Sequence, residues 1–154
     1  MTGKEILKLF LAEGWLMEFF AHIRKDVGSY IASFPDFPNI NTYGDTLREA
    51  LGNAYEALNG VLETEFERGY ALPAARSFTG KRSYHAIVVA PHIEIAYELR
   101  KLRNGHTQSE IARRLGITYQ SYQKLENPMK CNPTIKTLER IGEVLGKRLN
   151  ISWT

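Results

Sequence analysis

Two hydrophobic periods alternate along the chain. Glu18–Lys25 ("EFFAHIRK") and Ser29–Phe34 ("SYIASF") are rich in β-branched and aromatic residues, and Asp26-Val27-Gly28 lies between them, which predicts a hairpin. A third short strand is expected over Ile40–Tyr43. At Leu47 the spacing changes to three and four: Leu47, Ala50, Leu51, Ala54, Leu58, Val61, Leu62 and Phe66 form one stripe of a helix that a sheet can cover. Thr46 and Glu49 make a capping box at its start, and Gly69 is placed to stop it. Arg68–Ser83 has no period and reads as loop or linker, after which Tyr84–Ala90 ("YHAIVVA") predicts a fourth strand.

From Pro91 on, the chain reads as helical. Pro91 suits the first turn of a helix reaching about Asn104, and Gly105 ends it. Thr107 and Glu110 form a second capping box before "SEIARRLG", Gly116 breaks that helix, Thr118 caps "YQSYQKLEN", and Thr134 caps "IKTLERIGEVLG". "RLNISW" closes the chain as a short strand. The expected fold class is α+β: a β-β-β-α-β domain followed by an all-α domain. The expected boundaries are an extra helix over 1–16, a first domain over 17–77 whose sheet strand 84–90 completes, a linker at 78–83, and a helical domain over 91–154.

Length and charge sharpen this division. The 154 residues suffice for one ordinary domain or two small ones. No stretch reaches the ~20 apolar residues of a membrane span, and the apolar run at the N-terminus is too short for a secretory core. Cys131 is the single cysteine, so no intrachain disulfide forms, and a cytoplasmic location is expected. Met1–Ser83 holds 9 Lys and Arg against 11 Asp and Glu, a balance of −2, whereas Tyr84–Thr154 holds 11 against 6, a balance of +5. A basic back half suits a polyanionic partner.

The run "TQSEIARRLGITYQSYQKLEN", Thr107–Asn127, has the requirements of a helix-turn-helix. Ile111, Ala112 and Leu115 are apolar, Gly116 permits the turn, and Ile117, Tyr122 and Leu125 pack back. The second helix then exposes Tyr119, Gln120, Ser121, Gln123 and Lys124. Gln can pair with adenine, and Lys or Ser can serve bases or phosphates. The alternative is a helical bundle whose Gln and Lys are only solvated. The stretch resembles the repressor-type (XRE or Cro-like) helix-turn-helix family over about Pro91–Gly146, with Tyr122 large where the family has a small aliphatic residue. The resemblance implies a phosphate contact from Gln108. It also implies operator DNA read by the start of the second helix: Thr118, Tyr119, Gln120, Ser121, Gln123 and Lys124. Arg113, Arg114 and Lys130 are further phosphate neighbours or, for the two arginines, a solvated face. A homodimer or higher homo-oligomer is expected, since two half-sites bind more tightly than one. The dimer surface is sought in "RLNISW" or the last helix.

In the front half, Pro35-Asp36-Phe37-Pro38, Gly44-Asp45-Thr46 and Glu49-Ala50-Leu51, Asn53-Ala54, Glu56-Ala57-Leu58 are similar to the HicB antitoxin family, over about Met17–Ser77. Leu72-Pro73 also fits. The resemblance implies a partial RNase H-like sheet that binds and covers a HicA-like RNA-cleaving toxin, with the second domain repressing the operon. Phe34, Asp36, Phe37 and Tyr43 are the candidate toxin contacts. For Tyr30 and Phe34 the competing reading is core or hairpin packing. Asp36, read as a stiff exposed acid suited to a basic toxin, alternatively caps a turn. Residues 1–16 lie outside the family pattern. "GKEILKLFLAEGW" resembles the first helix of the toxin itself, but its Ile6, Leu7, Phe10 and Leu11 equally make an added packing helix.

Two other functions compete: a transcriptional regulator whose front domain senses a small ligand, and a nuclease through the RNase H-like resemblance. The latter needs convergent carboxylates, and Asp36, Asp45 and Glu49 lie too close together in the chain to be a convincing set. His22, His85, His92 and His106 show no metal-ligand spacing. No catalytic residue, metal, cofactor or membrane partner is expected.

Overall fold

The computed structural model describes residues 17–68 and 72–151. The chain divides between Ala90 and Pro91 into two compact units, each with its own core.

The front unit is an antiparallel sheet of β1 (Glu18–Asp26), β2 (Ser29–Phe34), β3 (Phe37–Gly44) and β4 (Tyr84–Val88) in the order β3-β2-β1-β4, with α1 (Leu47–Glu67) after β3. Val27 and Gly28 turn β1 into β2 with φ of 24° and 84°. Two positive φ values give the turn whose twist matches a tight hairpin. β3 begins three residues earlier than the alternation predicts, because Phe37 pairs with Phe34 across a register irregularity and sets its ring edge-on against Phe19 at 4.7 Å.

The strand register sorts side chains into two faces. Phe19, Ala21 and Ile23 share one face with Ala32, Ile40 and Ile87, and all six are buried. α1 covers this face with Ala50, Ala54, Leu58 and Leu62. Gly44 is what lets it come so close: a Cβ there would stand 2.4 Å from the backbone nitrogen of Ala50. Thr46 accepts the Glu49 N–H, and the Glu49 carboxylate reaches back to the Asp45 N–H at 2.9 Å. Asn53 of α1 donates to the Tyr43 carbonyl at 2.8 Å. Asn59, buried in the same helix, accepts the Ala90 N–H at 2.7 Å and donates to the Val88 carbonyl. The stripe residue Phe66 and the stop at Gly69 lie outside the described side chains and residues.

The other sheet face carries Tyr43, Ile31 and Arg24 in one row and Asn41, Ser33, His22 and Tyr84 in the next. Near β4 it is covered by the segment expected as a linker. Phe78 stacks on Tyr84 at 4.2 Å and meets Phe20 edge-on, while His22 stacks on the same Tyr84 at 4.8 Å. Arg76 and Lys81 place their cations 5.9 and 5.5 Å from the Phe78 ring. Ring packing thus builds 78–83 into the front unit. One aromatic in an aperiodic loop gives no sequence signal for this.

The back unit holds α2 (Pro91–Leu102), α3 (Gln108–Leu115), α4 (Tyr119–Leu125) and α5 (Ile135–Val144). Leu99, Ile111, Ala112, Leu115, Tyr122, Leu125 and Ile141 form its core. The closing strand expected in "RLNISW" is not formed over 148–151, and Ser152 and Trp153 lie outside the described residues, as does the helix expected over 1–16. Among the described residues no helix is long and apolar enough to cross a membrane.

Candidate nucleic-acid interface and partner face

The turn between α3 and α4 is set by Gly116, at φ 66° in the left-handed region. Its N–H and that of Ile117 both reach the Ala112 carbonyl, so the freed end of α3 is satisfied while the chain reverses. Arg140 of α5 donates to the Leu115 carbonyl beside this turn. Thr107 caps α3 by accepting the Glu110 N–H, and Thr118 caps α4 by accepting the Ser121 N–H. Both helices therefore start at fixed points, and their relative angle rests on the buried side chains between them.

Under this pair lies a buried ionic cluster. Glu126 is 2 % exposed. Its carboxylate accepts from Arg103 Nε at 2.6 Å and Nη2 at 3.2 Å, from the Tyr122 hydroxyl at 2.8 Å, and from Gln108 Nε2 at 2.8 Å. Arg103 also donates to the His106 carbonyl. The hydrogen bond to Glu126 raises the Arg103 pKa, and burial, reinforced by Glu126, pushes the Tyr122 phenol well above its usual range. One carboxylate thus ties the end of α2, the start of α3 and the end of α4. Sequence reasoning missed Arg103 and Glu126. Their only sequence signal is that two opposite charges interrupt otherwise apolar or exposed positions 23 residues apart.

Gln108, expected as a phosphate contact, is half-buried and donates one amide N–H to Glu126 at 2.8 Å. The rest of the expected row is presented outward. Tyr119, Gln120, Ser121, Gln123 and Lys124 are exposed on α4. The Tyr119 hydroxyl accepts from Gln123 Nε2 at 2.9 Å, so the two side chains hold one another along the helix. Thr118 is exposed, and its hydroxyl also donates to Ser121 Oγ. Arg113 and Arg114 are exposed at the end of α3, and Lys130 in the loop after α4.

In the front unit the four expected contacts separate. Phe34 is 2 % exposed and belongs to the core, so it offers no contact area. The Asp36 side chain is 4 % exposed. It accepts the Arg76 backbone N–H at 3.0 Å and Arg76 Nε at 2.6 Å, and Arg76 also donates to the Pro35 carbonyl. The acid expected to be free is covered by a cation 40 residues away, a pairing that only folding brings about. Phe37 is half-buried against Phe19. Tyr43 alone of the four stands clear, 66 % exposed on the open sheet face. The Glu49 carboxylate accepts the Asp45 backbone N–H at the start of α1, and the Asp36 carboxylate is held by Arg76. Among the described residues no three His, Cys, Asp or Glu side chains gather where they could hold a metal ion.

Comparison with known proteins places both units. Residues 18–90 match a family described as HicB-like antitoxin of bacterial toxin–antitoxin systems, and residues 97–151 match the helix-turn-helix family. The front unit is a HicB-like antitoxin domain, and the back unit is a helix-turn-helix domain. Antitoxin HicB 1 of Photorhabdus laumondii is 28 % identical over 81 % of this chain and 79 % of its own. Antitoxin HicB of Pseudomonas fluorescens is 25 % identical over 89 % and 94 %, and Antitoxin HicB of Escherichia coli is 27 % identical over 80 % and 89 %. A crystal structure of the N-terminal domain of Burkholderia pseudomallei antitoxin HicB matches at 27 % identity with a TM-score of 0.40, over 48 % of this chain and 96 % of that one. The HicB-like domain ends at Ala90, the residue at which the two compact units divide.

Proposed function

We propose that this protein is an antitoxin that neutralises a HicA-type RNA-cleaving toxin with its HicB-like domain. In this reading it represses its own operon by binding operator DNA with α3 and α4, and it acts by binding alone, in the cytoplasm. The observation that carries it is the order of two matched domains, the second of which presents the row from Tyr119 to Lys124 on a helix fixed at both ends. Base readout goes to Gln120 and Gln123, phosphate contact to Lys124, and a homodimer supplies two reading helices for two half-sites.

For the toxin we assign the open sheet face around Tyr43, Ile31 and Arg24, rather than the 35–38 loop. Asp36 is already neutralised by Arg76, and an aromatic ringed by polar groups is the usual anchor of a protein interface. The test is co-expression of a HicA-type toxin with the Tyr43→Ala protein. Growth rescue should fall while operator binding is unchanged. Full rescue would move the toxin off this face.

A further inference from the structure

Two of the exposed side chains of α4 are already joined to one another. Tyr119 opens the helix, and Gln123 follows one turn on, on the same side of its axis. Gln123 Nε2 donates to the Tyr119 hydroxyl at 2.9 Å. We propose that Tyr119 is a positioning residue that orients the Gln123 carboxamide, so that Gln123 reads adenine and rejects guanine at one base pair of the operator. This rests on the repressor reading of α3 and α4 and adds which residue selects which base.

Donors and acceptors decide the base. A carboxamide has two N–H donors and one carbonyl oxygen. One N–H of Gln123 is committed to Tyr119, which leaves one N–H and the oxygen to face outward. Adenine presents an acceptor at N7 and a donor at N6 to the major groove, and that pair of groups matches them. Guanine presents two acceptors, N7 and O6. Turned over, the amide would accept the Tyr119 O–H through its oxygen and present two N–H groups, a pattern for guanine. The direction of the bond to Tyr119 therefore selects between the two purines. The backbone beneath the pair is fixed as well. Thr118 accepts the Ser121 N–H at 3.1 Å and pins the helix start, while Tyr122 and Leu125, both buried, set the rotation of α4 about its axis. A glutamine free to rotate loses its rotamer freedom on docking, a cost that a side chain held in advance largely avoids.

The test uses the full chain and the duplex it selects from a randomised DNA library, with each base pair of that duplex then replaced in turn. For the unsubstituted chain, one A·T pair should lose about 5- to 100-fold in affinity on replacement by G·C, and Gln123→Ala should abolish that preference. Tyr119→Phe should lower the adenine-over-guanine ratio at the same pair alone, by about 2- to 12-fold. A phosphate contact from the Tyr119 O–H would instead weaken all DNA alike and leave this ratio unmoved. In the Gln123→Ala background, Tyr119→Phe should change the ratio no further, as a residue acting through Gln123 requires. Guanine preferred at the Gln123-dependent pair, or full discrimination kept by Tyr119→Phe, would overturn the proposal. A selected site with no Gln123-dependent pair would overturn it and leave the repressor reading standing, whereas no selected site would overturn both.

Discussion

Glu126 holds a carboxylate where water does not reach, and three side chains satisfy it. Removing one partner of such a pair costs about 3–5 kcal/mol, because a buried charge is left uncompensated. Arg103→Met should therefore lower the urea midpoint of the back unit by an amount equivalent to roughly that loss, and a change below about 1 kcal/mol would show that water replaces the guanidinium. Tyr122 tests the same cluster through pH. Its phenol is held above the usual value by burial and by Glu126. Below about pH 10 the phenol is protonated in both states, so its stabilising effect is fully present. Above about pH 10 the unfolded chain ionises first while the fold keeps the proton, and stability falls as pH rises. Tyr122→Phe should cost about 1–3 kcal/mol at pH 7 through the loss of a hydrogen bond to a charged group. It should also flatten the alkaline decline between about pH 10 and 12. An unchanged decline would assign that titration to other groups.

At the scale of elements, the two periods were legible, and so were the caps. Thr46, Thr107, Thr118 and Thr134 each accept the N–H three residues on, and local chemistry of this kind is written in adjacent residues. What sequence did not reveal joins distant positions: Arg76 to Asp36, Phe78 to Tyr84, and Glu126 to Arg103. In the candidate site this divides the outcome. The exposed row of α4 follows from one helix's own periodicity, whereas the bonds of Gln108 to Glu126 and of Asp36 to Arg76 join positions 18 and 40 residues apart. Gly44 shows the same limit. It precedes a helix cap in sequence, but its need is steric, since α1 starts almost against it. Gly44→Ala would force the helix start and β3 apart, because the obstructing atoms are backbone. A cost of about 1–3 kcal/mol is expected, as for overpacked cores. A thermal midpoint equal to that of the unsubstituted chain would mean that α1 shifts freely.

The described residues form two separate cores, divided at Ala90, where the buried Asn59 fastens the end of the last strand. If the two proposed functions lie one on each core, they fail independently. Gln120→Ala with Gln123→Ala removes the side chains that can pair with bases from exposed positions of α4, where neither glutamine packs into the core. Operator discrimination should fall by about 1–3 kcal/mol for each base left unread, with toxin rescue retained. Lys124→Ala should act on all DNA alike, lowering affinity for operator and scrambled sequence together and reducing the salt slope by about 0.9 for each phosphate no longer neutralised. Tyr119→Phe separates positioning from direct recognition, since it keeps the ring but releases the Gln123 amide that Tyr119 now holds. Anisotropy titrations against both DNAs at two salt concentrations, beside toxin-rescue growth, distinguish the cases. A double glutamine variant that still prefers operator places the reading residues elsewhere on α3 or α4. A folded variant that loses rescue shows instead that the toxin surface extends onto the helix-turn-helix domain, and the division of labour at Ala90 fails.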